Sequence, residues 1–71
     1  MPKLPVVSGK QCCKALAKLG FVKARQNGSH VVMRRADSGC VVPMHREIKT
    51  GTLAGLLKQA HVTVDEFIGV L

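Results

Sequence analysis

The hydrophobic period changes twice along this chain of 71 residues, from helical to alternating and back, and that order limits the folds open to it. Ser8 is a good helix N-cap, and Gln11 three residues later completes a capping-box pattern. The run to Leu19 holds no proline and no β-branched residue, and Cys12, Leu16 and Leu19 share one face. Gly20 is the expected stop, so the first helix spans about Gly9–Leu19. Pro2 and Pro5 keep the segment before it extended. Phe21–Gln26 then reads as a strand, Asn27-Gly28 as a hairpin turn and Ser29–Arg35 as a second strand. Ala36–Gly39 is another turn, and Cys40–Met44 is a third strand with Pro43 near its end.

Helical spacing returns after His45–Lys49. Leu53, Leu56, Leu57 and Ala60 form one apolar stripe, with Thr50 placed to cap it. Thr63 and Glu66 make a second capping box, and Val64, Phe67, Ile68 and Leu71 repeat the stripe to the last residue. The expected fold is α+β, an αβββα sandwich with a short extra C-terminal helix. A three-stranded meander needs one face covered, and helices with apolar stripes cover it.

One domain, residues 1–71, is all that this length allows. Apolar residues make up 46% of the chain, which argues against disorder. Phe21 and Phe67 are its two aromatic residues, so the core is mostly aliphatic. Eleven Lys plus Arg against four Asp plus Glu leave a net charge of +7. A field of that sign favours a polyanionic partner such as nucleic acid. Three cysteines, two of them adjacent, do not make a disulfide framework and imply a reducing compartment. Met1–Lys10 has no apolar run of a signal peptide, and no stretch approaches the roughly 18 apolar residues of a membrane span. These features predict a soluble, cytoplasmic protein with no membrane role.

Residues able to do chemistry are few. The nucleotide-binding and hydrolase motifs P-loop, GxSxG, HExxH and GxGxxG are absent. Asp65 and Glu66 suit the dipole of the last helix, and no carboxylate cluster or Cys/His spacing marks a metal site. The expectation is no metal and no cofactor. His30 stands at the start of the second strand, after a tight turn, and alternation groups it with Val32 and Arg34. Val31, Met33 and Arg35 take the other face. Metal-free RNA cleavage needs a base for the 2′-OH, an acid for the leaving oxygen and cations for the phosphate charge. Histidine suits the first two tasks because its ordinary pKa lies near neutrality. Arg25, Arg34 and Arg35 are candidates for the third. His45 follows the third strand, at a distance from His30 that sequence does not fix. Lys10, Lys14 and Lys18 form a helix stripe that either binds phosphate or is simply solvated. His61 suits the end of the second helix and needs no further role.

Arg25-Gln26-Asn27 followed by Gly28-Ser29-His30 resembles the hallmark of the HicA toxins, the YcfA-like mRNA interferases. Further segments agree in the same order: Ser8-Gly9-Lys10, Leu19-Gly20-Phe21, Val42-Pro43-Met44-His45, Gly51-Thr52-Leu53, Leu57-Lys58-Gln59-Ala60 and Glu66-Phe67. The resemblance runs from about Ser8 to Leu71. It implies a fold like the double-stranded-RNA-binding domain, an endoribonuclease that cleaves mRNA and arrests translation, and a HicB-type antitoxin that masks the active site. It assigns the catalytic role to His30, with Ser29 beside it. Three positions depart from the family pattern: His61 where Gly is usual, Val31 where a second His is frequent, and Cys12-Cys13 where larger aliphatic or charged residues are common.

The expected mechanism is metal-independent phosphodiester transfer, with His30 as base or acid and RNA held by Lys10, Lys14, Lys18, Arg25, Ser29, Arg34, Arg35 and His45. Two rivals are a non-catalytic double-stranded-RNA binder and a protein-interaction module that meets an acidic partner.

Overall fold

The computed structural model describes residues 3–71, so Pro2, read above as part of an extended start, lies outside the described residues. Helix α1 (Gly9–Lys18) opens on the capping box read from the sequence. The Ser8 hydroxyl accepts from the Gln11 N–H at 3.0 Å, and Gln11 Oε1 accepts from the Ser8 N–H at 2.9 Å. Two amides that the first helical turn would leave without partners are thereby bonded. Gly20, at φ 95°, turns the chain away after Lys18 and Leu19. Cys12, Ala15 and Leu16 are the buried side chains of the helix.

Three antiparallel strands follow, β1 (Val22–Asn27), β2 (His30–Arg35) and β3 (Ser38–Pro43), in the spatial order β1-β2-β3. Both turns sit one or two residues from where the sequence suggests. Asn27 pairs with His30, so the first turn is Gly28-Ser29 and not Asn27-Gly28. Gly28 takes φ 61°, and a two-residue turn with its positive φ in first place is the II′ form, where glycine belongs. Arg35 pairs with Ser38, which narrows the second turn to Ala36-Asp37 and gives Ser38 and Gly39 to β3. A register shift between Lys23 and Arg25 puts a bulge in β1.

Helix α2 (Thr50–Gln59) buries Leu53, Leu56 and Leu57, and Ala60 at its end is buried with them. Its N-cap is Lys49, which makes no side-chain cap bond; Thr50, expected as the cap, is the first helical residue. Helix α3 (Val64–Val70) opens on the Thr63/Glu66 box, with bonds of 3.0 and 3.1 Å. The backbone N–H of Thr63, and then its hydroxyl, hold the Glu66 carboxyl below its ordinary range. The inner sheet face gives Val31, Met33, Cys40 and Val42 to a core completed by the helices, Phe21, Ile48 and Phe67. Full burial of one such large apolar side chain is worth about 1.5–3 kcal/mol.

One contact joins the two layers at the end that concerns function. The Gly9 N–H donates to the His45 carbonyl at 2.9 Å, and the Ile48 N–H to the Val7 carbonyl at 2.8 Å. The start of α1 is thus pinned to the segment that leaves β3. A side chain on Gly9 would place its Cβ 2.6 Å from the Met44 Cα, and backbone cannot step aside as a flexible side chain can. Helix propensity alone favours alanine at Gly9 by up to about 1 kcal/mol. The packing predicts the opposite sign. Gly9→Ala should destabilise the protein by about 1–3 kcal/mol, the usual cost of overpacking. Urea unfolding measures it, and a variant as stable as the parent or more so refutes the tight docking.

Candidate active site

His30 is the first residue of β2, directly after the Gly28-Ser29 turn, and its side chain is exposed. Its partner across the ladder is Pro43. Pairing continues past β3, because the Met44 N–H donates to the Ser29 carbonyl at 2.6 Å. His45 lies two residues beyond Pro43, so period-two alternation returns it to the face of His30. Residues related in this diagonal way stand roughly 7–8 Å apart. Both imidazoles line one cleft of about 430 Å³, with Val41 and Pro43 as its apolar floor. The far wall comes from the segment between β3 and α2 and from the first turn of α2: Glu47, Ile48, Lys49 and Thr52. The proximity of His30 and His45, open at the level of sequence, is therefore supplied by strand register.

Glu47, Lys49 and Thr52 were not among the candidates read from the sequence. Each is an ordinary polar residue in a connection or a helix start. Their one sequence signal is position: they follow the end of a strand and open a helix, where side chains converge on a site.

The other candidates lie as follows. Arg25 pairs across β1–β2 with Val32, so it sits on the outer sheet face, diagonal to His30. Arg34 is on the same face, four residues along β2 and so about 13 Å from His30. Beside it a second, shallower depression of about 440 Å³ runs between Val32, Asp37, Val41 and Gln59. Arg35 is not brought to His30. Its side chain turns to the opposite face, where Nη1 donates to the Leu19 carbonyl at 2.8 Å and the guanidinium lies 4.6 Å from the Phe21 ring centroid. That guanidinium closes the junction of α1 with β1, a structural duty that sequence did not suggest. Ser29 is not among the residues that line the cleft; its carbonyl accepts from the Met44 N–H.

Lys10, Lys14 and Lys18 are exposed on α1. Lys10 is in the turn that docks against His45, whereas Lys18, about 12 Å further along the axis, donates to the Val70 carbonyl at 3.1 Å. Lys14 and Lys18 border a different hollow, between the N-terminal segment and α3. The stripe leads away from the histidines and does not surround them. His61 is at the far end of the sheet, at φ 59°, with Nδ1 2.9 Å from the Ser38 hydroxyl oxygen.

A small α+β domain whose strand-end histidine opens into a cleft, on a chain of high positive charge, defines the class of basic αβββα proteins. A family model described as the HicA toxin of bacterial toxin–antitoxin systems matches residues 9–62, three quarters of the chain, and the chain belongs to that family. An antitoxin is the partner that such a family implies. A search of curated proteins returns no match. Among the described residues, no helix is long and apolar enough to cross a membrane, and no three His, Cys, Asp or Glu side chains are grouped to hold a metal ion.

Two of the three cysteines, Cys12 and Cys40, are buried. Burial pushes the Cys12 thiol up to about 12 and the Cys40 thiol to about 11, and it raises Cys13 as well, whose Sγ lies 3.8 Å from the Met44 sulfur. Only the thiolate reacts, so Cys12 and Cys40 should be inert in the folded protein. Ellman's reagent at pH 8 should leave both unmodified over minutes and titrate three thiols once denaturant is added. Rapid modification of all three in the native protein contradicts this burial.

Proposed function

We propose that this protein is the toxin of a HicA–HicB-type pair, an endoribonuclease that cleaves mRNA without a metal ion, with His30 as its catalytic residue. The observation that carries the reading is the setting of His30. It is an exposed imidazole at a strand start, positioned by a glycine turn and facing a cleft, in a chain of the HicA family. The reaction is transfer of a phosphodiester, with His30 moving a proton at the 2′-OH or at the leaving oxygen. Arg25 and Arg34 share its face outside the cleft and supply bidentate contacts to phosphates elsewhere along the RNA backbone. The αβββα layout and the net charge of +7 also suit a double-stranded-RNA binder without catalysis, and the assay below separates the two. A HicB-type antitoxin with an acidic binding face would associate quickly and in a salt-sensitive way. Its masking of the cleft would end the activity.

His30→Ala should abolish RNA cleavage and growth arrest while the fold survives, since an exposed side chain away from special features changes stability by less than about 0.5 kcal/mol. The parent protein should cleave equally well in EDTA. Circular dichroism, a growth assay without antitoxin and cleavage of a purified transcript read these outcomes. A toxic His30→Ala variant, or cleavage lost in EDTA and restored by Mg²⁺, overturns the assignment.

RNA affinity should come from phosphates. Phe21 and Phe67 are both buried and the chain has no Trp or Tyr, so aromatic base stacking has no platform. Each phosphate contact contributes about 0.7–0.9 to the slope of log affinity against log salt. Neutralising Lys10, Lys14 and Lys18 together in the His30→Ala background should lower that slope by roughly two to three. An unchanged slope removes the α1 stripe from the footprint and leaves it to Arg25 and Arg34.

A further inference from the structure

We propose that His45 is the second proton-transfer group of the cleft and Lys49 its phosphate-binding cation, so that the protein is a two-histidine transferase of RNA yielding 2′,3′-cyclic phosphate and 5′-hydroxyl ends. This inference rests on the reading of His30 as catalytic and adds the rest of the machinery.

An in-line attack on phosphorus puts the entering and leaving oxygens on opposite sides of the phosphate. The base and the acid must then flank it, each within hydrogen-bond reach of its oxygen. One imidazole cannot serve both sides in a single step. His30 and His45 stand diagonally across the end of the β2–β3 ladder and line the same cleft, so a phosphate lowered between them meets one on each side. In the transfer step one imidazole takes the proton of the 2′-OH, the 2′ oxygen bonds to phosphorus, and the bond from phosphorus to the 5′ oxygen breaks. The other imidazolium gives its proton to that 5′ oxygen. One proton enters the protein and one leaves it, and no oxidant, metal or water is consumed.

The charge that builds on the non-bridging oxygens needs a cation. None of Arg25, Arg34 and Arg35 lines this cleft, and Lys49 does. Lys49 is the N-cap of α2, a helix with no acidic residue in its first turn, so the field around it is positive. The other charged group that lines the cleft is Glu47, from the same segment; Lys10 follows Gly9, whose N–H is bonded to the His45 carbonyl. His45 is fixed by its backbone, through the bond from Gly9, and that bond survives replacement of its side chain.

The test uses the purified protein, a mixed-sequence transcript and the variants His30→Ala, His45→Ala, His45→Gln, Lys49→Ala and Lys49→Arg, each checked for folding by circular dichroism. The parent should give a bell-shaped pH–rate profile and products whose 5′ ends are labelled by polynucleotide kinase without prior dephosphorylation. Both His45 variants should lose about 10²–10⁴-fold in rate and one limb of the bell. Lys49→Ala should lose about 10²-fold, and Lys49→Arg should recover most of it. A dead His30→Ala beside His45 and Lys49 variants of parental rate and profile overturns this inference and leaves the His30 reading standing. An active His30→Ala overturns that reading itself. Products with 5′-phosphate ends overturn the cyclic transfer.

Discussion

The docking of Gly9 on the end of β3 is the contact on which the working end of the molecule depends. Without a side chain, the first residue of α1 comes close enough for its N–H to reach the His45 carbonyl. A few residues to either side, Val7 and Ile48 form a bridge of their own. Sheet layer and helix layer are therefore locked together at the cleft, where the chain passes from β3 to α2. This segment has no regular structure apart from that bridge, and its backbone is held at Met44, His45 and Ile48 by hydrogen bonds to other parts of the chain. A loop so held positions side chains with much of the precision of a strand.

Charge has a division of labour in the same frame. Arg35 and Lys18 spend their donors on the carbonyls of Leu19 and Val70, at the end of the molecule where α1 meets β1 and α3. Arg25 and Arg34 stand on the open sheet face. Lys49 sits at the cleft itself. The net positive charge is thus partly mortar and partly surface, and residue counts alone do not separate the two.

The order and type of the elements were legible in the sequence because each carries a local signal. The Ser8/Gln11 and Thr63/Glu66 boxes mark two helix starts where they occur, and the Leu53, Leu56, Leu57, Ala60 stripe is buried as its period requires. Boundaries moved where two local choices compete. Asn27 and Gly28 both accept a positive φ, and ladder register gives it to Gly28. Lys49 took the cap position expected of Thr50 because the chain enters α2 directly from the pinned Ile48. His30 was marked as a candidate by its turn and its family motif, and the structure puts it at the cleft. Its nearness to His45 was not, because a diagonal across two strands exists only once the register is known. The employment of Arg35 was hidden for a similar reason, since its partners are sixteen and fourteen residues earlier in the chain.

β1 is exposed at every residue and lies at the edge of the sheet. Such a strand offers unpaired amides and carbonyls to any other chain. The bulge between Lys23 and Arg25 interrupts the flat ladder that an incoming strand would need, and the two cations repel a second copy of themselves. The edge strand that carries Lys23 and Arg25 thereby also guards against edge-to-edge aggregation.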